Sequence, residues 1–295
     1  MIFTKASRKL TPNKTTNVTL LCTFILTISA FIFTSCSDDD KNSTAEYPGT
    51  TVNLGTHKLM AYTVAKNSKY LVVFESGHGN DHTSWYSSGK SSEILSIADF
   101  LDSDVLLYDR AGYGKSEFNT EPRDINKLRS ELETVIDQFA KGRKVVLVGH
   151  SLGGMIIRDY AIKNPAKVAG LLFVDSSHEK KNHISQDELN TFYNNYKITY
   201  GANSGIALET LQLIEDFKYM EVLPNLPDVP TIILTSMKID AQNDAASKQQ
   251  WYDAHQSLKV GVTDFTHITT VNSGHFIQLD EPKLVLENIK LLLLK

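Results

Sequence analysis

The sequence predicts an α/β domain: a mostly parallel sheet with helices on both faces and a helical cap inserted late in the chain. Three observations carry this. Short unbroken apolar runs, Tyr70–Phe74, Val105–Tyr108, Val145–Val148 and Val168–Val174, have the composition of strands buried on both faces. Segments with helical spacing separate them, the βαβ rhythm that makes neighbouring strands parallel. Each run then ends abruptly in polar or glycine-rich residues, and ligands bind beyond the carboxyl ends of such strands.

The first 35 residues stand outside that domain. Lys5, Arg8, Lys9 and Lys14 open the chain without an acid, and an apolar stretch follows from about Val18 to Phe33. Its length and abrupt end fit a secretory signal better than a membrane span. Phe33-Thr34-Ser35-Cys36 then resembles the lipobox of bacterial lipoproteins, with Phe33 where leucine is more usual. The resemblance implies cleavage before Cys36 and a lipid on its thiol. The protein would then be membrane-attached in the cell envelope of a Gram-negative bacterium, in the outer membrane or at the cell surface. Ser37-Asp38-Asp39-Asp40-Lys41 is similar to the acidic tether of surface lipoproteins in Bacteroidetes-type bacteria, and residues 36–49 are expected to be that tether. A simple secreted protein or an N-terminal membrane anchor is the alternative. Removing residues 1–35 takes away four of the 30 basic side chains and no acids, leaving 26 against 34, a net −8. That argues against nucleic acid as a partner. The two cysteines, Cys22 and Cys36, both precede the body, which therefore has no disulfide, no cysteine nucleophile and no Cys-based metal site. A body of about 250 residues buries enough surface without such staples.

Along residues 50–295 the elements follow in order. Thr50–Ala65 alternates apolar and polar around Gly55-Thr56, the pattern of a leading β-hairpin. Tyr70–Phe74 reads as a central strand and ends in Glu75-Ser-Gly-His-Gly-Asn80; Val105–Tyr108 is another, ending in Asp109-Arg-Ala-Gly-Tyr-Gly-Lys-Ser116. Arg123–Lys141 places Leu128, Leu132, Val135, Ile136 and Phe139 on one helical face. A strand from Val145, a helix running to Asn164, and the strand Val168–Val174 come next. Between about 176 and 228 the rhythm stops. Two helical patterns, Glu188–Tyr200 and Ile206–Met220, carry a cluster of aromatics there, and an insertion of this size over strand ends is expected to roof a substrate pocket. Strands at Thr231–Thr235 and His267–Val271 and a helix at Leu284–Leu294 complete the chain.

The chemistry is concentrated where the strand from Val145 breaks at Gly149-His150-Ser151-Leu152-Gly153. This is G-x-S-x-G, in which a strand-to-helix turn holds a serine in a strained conformation with its hydroxyl exposed. Glycines on both sides keep Cβ atoms apart, and the new helix aims backbone N–H groups at the same spot. With the histidine segment Asn272-Ser-Gly-His-Phe-Ile-Gln-Leu-Asp-Glu-Pro282, the body from Thr50 to Lys295 resembles the α/β-hydrolase fold family. That family's order is nucleophile, acid, histidine. The resemblance implies Ser151 as nucleophile, His275 as base and then acid, and an aspartate to orient it. Asp240 (or Asp244) follows the strand where the family's acid usually stands, though Ser236-Met-Lys-Ile-Asp240 lacks the G-x-x-D turn expected there. Asp175 sits one strand earlier in Val174-Asp-Ser-Ser-His-Glu179, the position taken by the acid in haloalkane dehalogenases and in serine-type relatives with V-D-x-x-H-E. Asp175 is the preferred reading and Asp240 the alternative.

An oxyanion site needs two backbone donors. The resemblance gives Leu152 N–H and one from Ser76-Gly77-His78, where relatives read His-Gly-x; His78 N–H is the candidate, with Gly79 N–H open. The spacing of His78 and His82 also permits a metal pair, which the acyl-transfer setting disfavours. Asp109–Ser116 resembles the family's D-x-R-G-x-G-x-S loop with Arg110 one place early, a scaffold turn and not a phosphate loop. The expected function is serine hydrolysis of an ester or amide of a small, fairly apolar molecule, with no cofactor and no metal. Esterase, lipase-like, aminopeptidase and perhydrolase chemistries share this constellation. A catalytically silent surface binding protein on the same scaffold is the rival from another class.

Overall fold

The computed structural model describes residues 47–86 and 96–295. The signal, Cys36 and most of the tether fall outside the described residues. No helix among those described is long and apolar enough to cross a membrane.

Eight strands form one sheet in the order β1-β2-β4-β3-β5-β6-β7-β8. The leading hairpin is β1 (Gly49–Asn53) and β2 (Lys58–Val64), paired antiparallel, and β2 runs antiparallel to β4 (Asp104–Asp109). All other pairings are parallel: β3 (Leu71–Glu75) with β4 and β5 (Val145–His150), then β6 (Val168–Val174), β7 (Thr231–Ser236) and β8 (Phe265–Thr270). Alternate residues of the buried strands point to opposite faces. Leu71, Val73, Val145 and Leu147 join a core with α1 (Ile125–Ala140) and α2 (Leu152–Lys163). Val72, Phe74, Val146 and Val148 join another with α8 (Pro282–Leu293). The α1 stripe Ile125, Leu128, Leu132, Val135 and Ile136 is wholly buried, and each such side chain contributes roughly 1.5–3 kcal/mol.

The chain leaves β3 toward β4 on one side and β5 toward β6 on the other, so the strand order reverses between β3 and β5. Crevices form at such switch points, outside the carboxyl ends of the strands. The loop after β3 and the turn after β5 line this one.

Three helices stand between β6 and β7: α3 (Gln186–Tyr200), α4 (Gly205–Thr210) and α5 (Leu213–Glu221). The expected single helix over 206–220 is thus two. Thr210 turns its hydroxyl back to the Ile206 carbonyl (2.6 Å), and the chain bends through Leu211 and Gln212. The helix α6 (Ala245–Gln256), capped by Asp244, and the short α7 (Ile277–Asp280) were not foreseen from the sequence.

Candidate active site

Ser151 sits between β5 and α2 with φ 53° and ψ −121°. A non-glycine residue held there costs on the order of 1–3 kcal/mol and persists only where the surroundings enforce it. The flanking glycines are required by contact: a Cβ on Gly149 would stand 2.7 Å from the Gly153 carbonyl oxygen, and one on Gly153 2.3 Å from that of Glu75. Leu152 opens α2, so its N–H belongs to the helix's unpaired first turn.

Asp175, at the tip of β6, is also forced to positive φ (41°). Its Oδ2 accepts from His275 Nδ1 at 2.7 Å, and its Oδ1 accepts from Ser236 N and Trp251 Nε1, both at 2.8 Å. Burial by itself would push this carboxyl up; the hydrogen bond from His275, the attraction of the His275 and His255 rings and the hydrogen bond from Ser236 N outweigh it and hold the carboxyl below its ordinary range. The His275 Nδ1 proton is thereby assigned, leaving Nε2 free to accept. Asp240 is exposed and spends its carboxylate on its own turn, on Gln242 N, Asn243 N and Asn243 Nδ2. Asp244 caps α6 through Ser247 N. The structure therefore brings Asp175 to His275 and leaves Asp240 and Asp244 elsewhere.

His150 links the turn to the histidine loop: its Nε2–H donates to the His275 carbonyl at 3.0 Å. Burial, and then the neighbouring His275, push its ring down to about 3, so it stays neutral beside that residue. Ser151 Oγ is turned toward Ser177 Oγ, 3.4 Å away. Catalytic hydrogen bonds are often long or poorly aligned in unliganded enzymes.

In the loop after β3, Gly79 N–H donates to the Tyr113 hydroxyl at 3.2 Å. Of the two donors left open by the sequence, that one is engaged. The His78 ring is turned to the cap, its Nε2 lying 3.1 Å from both the Ile206 carbonyl and Thr210 Oγ1. The carbonyl requires the proton on Nε2. His78 does not meet His82, whose Nδ1 pairs with Asp109 Oδ1 at 2.7 Å. Asp81, His82 and Asp109 do bring ligand atoms within 4.8 Å of one another. Asp109 already accepts from His82 N and Nδ1, Tyr62 Oη–H and Lys115 N, so protein donors fill the place a metal would take.

Ser151 lines a pocket that is partly open to solvent. Met155, Phe192, Tyr196, Leu213 and Phe217 give it an apolar wall, and His78, Ser177, Asn182 and Thr210 supply polar groups.

The profile of the α/β hydrolase fold matches residues 70–287. The chain belongs to the α/β-hydrolase fold family. Among its relatives is the uncharacterized protein YqjL of Bacillus subtilis, 25% identical over 222 residues, 74% of this chain and 81% of YqjL. The mitochondrial palmitoyl-protein thioesterase ABHD10 of Pongo abelii is 31% identical over 115 residues, 39% of this chain and 36% of that protein. The match to ABHD10 thus spans about a third of that protein. A thermophilic esterase from Thermogutta terrifontis has a similar fold, with TM-score 0.63 at 17% identity over 82% of this chain and 97% of that one. Fold and relatives together support a hydrolase.

Several residues around this α/β-hydrolase site escaped the sequence reading. Trp251 and Ser236, which grip Asp175, come from α6 and the end of β7. Glu179 of the V-D-x-x-H-E segment pairs with Arg158 of α2 at 2.8 Å and ties the Asp175 loop to the helix behind Ser151. A buried network around Arg110 braces the loop after β3. The resemblance of Val174–Glu179 to V-D-x-x-H-E was the one available signal, and it pointed only to Asp175.

Proposed function

We propose that the protein is a serine hydrolase cleaving an ester or amide of a small, fairly apolar substrate through an acyl-enzyme. The observation that carries this reading is a strained Ser151 lining a largely apolar pocket, with the Asp175-bound His275 tied through its carbonyl to the neighbouring His150. Ser151 Oγ, rotated to His275 Nε2, gives up its proton as it attacks the carbonyl carbon. Asp175 stabilises the imidazolium so formed. Leu152 N–H and His78 N–H receive the oxyanion, a choice supported by the engagement of Gly79 N–H. His275 returns the proton to the leaving oxygen or nitrogen, and the tetrahedral intermediate collapses to the acyl-enzyme. Water, deprotonated by His275, then attacks the ester carbon and releases the acid and Ser151. These steps call for no cofactor.

The thioesterase name of one relative is in keeping with acyl transfer, and the apolar wall fits an alkyl or aryl acyl group. The proposal extends to location: the lipobox-like Phe33–Cys36 and the acidic run after it support a lipid anchor on Cys36 and a place in the cell envelope.

A fluorophosphonate probe on the purified domain, followed by a panel of aryl esters and amino-acid amides, tests the reading. The parent is expected to be labelled and active, and Ser151→Ala to be unlabelled. Hydrolysis by Ser151→Ala above about a thousandth of the parent rate would mean another nucleophile. A parent that takes no label and turns over nothing would favour a silent binding scaffold.

A further inference from the structure

Behind the loop after β3 lies a buried network that the steps above do not use. Arg110, only 2% exposed, follows β4. Its Nη1–H groups donate to Glu75 Oε1 (2.8 Å) and to the Ser76 carbonyl (2.6 Å), and Nη2–H donates to the Gly77 carbonyl (2.9 Å). The other edge of the guanidinium forks onto Glu209 of α4, with Nε at 2.8 Å and Nη2 at 3.1 Å from its two oxygens. The Tyr113 hydroxyl donates to the same carboxylate at 2.7 Å while accepting from Gly79 N–H. One side chain therefore joins the end of β3, two successive carbonyls of the oxyanion loop and a cap helix.

The direction of those carbonyls matters. In a trans peptide the C=O and the following N–H point opposite ways. Holding the Gly77 carbonyl on Arg110 turns His78 N–H to the other side, away from the guanidinium. Holding the Ser76 carbonyl fixes the preceding peptide plane in the same manner. A buried cation is costly unless its donors are all met, and here two carboxylates and two carbonyls meet them. Lysine could not reproduce the contact, because an ammonium is a point charge without a planar fork.

We propose that Arg110 is the positioning residue of the oxyanion site, aiming His78 N–H, and that α4 of the cap completes the site through Glu209. This rests on the serine-hydrolase reading. The cap is then more than a roof: docking of α4 becomes a condition for turnover, separate from binding of the acyl group by α3 and α5.

The test is steady-state kinetics of parent, Arg110→Lys, Glu209→Gln and Ser151→Ala on one aryl ester, with melting followed alongside. Loss of an oxyanion donor costs about 10²–10³ in kcat. Arg110→Lys is expected to lose about 10²-fold in kcat with KM within about threefold of the parent. Glu209→Gln keeps the shape of the fork and is expected to lose about tenfold with the same split; it carries the test if Arg110→Lys does not fold. Values of kcat within about twofold of the parent would overturn the assignment, as would a raised KM at unchanged kcat. Hydrolysis that survives Ser151→Ala would instead sink the serine reading, and the assignment with it.

Discussion

Three donors converge on the Asp175 carboxylate, and only one of them comes from a histidine able to move a proton. Ser236 N and Trp251 Nε1 occupy Oδ1, so Oδ2 is held toward His275 Nδ1. Asp175→Asn would present an amide to that ring and favour the wrong tautomer, a change that costs about 10⁴ in kcat in the well-studied serine triad. We expect a loss of that order, measured on a purified variant with near-parent melting at pH 7. Asp240→Asn is expected to stay within about twofold, since its carboxylate serves an exposed turn. The reverse pattern would overturn the assignment of the acid. Because the Asp175 carboxyl is held below its ordinary value, its contribution to stability is present above the unfolded value of about 4. It is lost as pH falls from there through the folded pKa. Ser151 and Asp175 were legible because each follows a buried apolar strand, where a polar residue has little structural reason to stand, and His275 because Gly-His precedes an acid and a proline. Arg110 and Glu209, 99 residues apart in sequence, were not. In a linear chain a buried ion pair looks like two surface charges.

At the scale of elements, the central strands and α1 were legible because a doubly covered strand and a one-sided helix leave unmistakable periodicities. The helix α6 left none: AASKQQWYDAHQ has too few apolar residues to mark a stripe, and its role is to deliver Trp251. The break between α4 and α5 was invisible for another reason. Its cause is tertiary: α4 turns Glu209 to Arg110, while α5 packs against α1 and α2, with the Tyr219 hydroxyl on Asp159 at 2.9 Å. On α5, Asp216 accepts from Ile125 N at 2.9 Å and so satisfies a free donor at the start of α1. Burial, with smaller pushes from Asp124, Glu209 and Glu215, raises its carboxyl to about 8. The folded protein therefore keeps a proton that the unfolded chain releases near pH 4. Stability from this group is fully present below that value and falls as pH rises toward 8, by at most about 1.4 kcal/mol per pH unit. Asp216→Asn keeps an acceptor for Ile125 N–H and removes the titration. The variant is expected to melt at the parent's temperature near pH 4 and above it at pH 7.5. A variant less stable at both would show that the charge on Asp216 is favourable where it lies.

At the scale of the whole molecule, the first described strand and the active-site turn are well separated. β1 is one edge strand of the sheet and lies four strands from β5; at about 4.8 Å per strand this is roughly 19 Å. The segment from Cys36 to β1 could extend roughly 40 Å. An anchor at Cys36 would hold the domain off a membrane surface without strain on Ser151, His275 or the cap. The proposed lipid is thus predicted to set location and to leave chemistry alone. Cys36→Ser expressed in a Gram-negative host and fed a clickable fatty acid is expected to lose the label and leave the membrane fraction. After detergent extraction of both, kcat and KM of parent and variant are expected to agree within about twofold, because the tether enters the sheet at β1, four strands from β5. Label that persists on the Cys36→Ser protein would end the lipoprotein proposal. Loss of label together with a large fall in kcat would instead show that the anchor shapes the site, which the separation of β1 from β5 argues against.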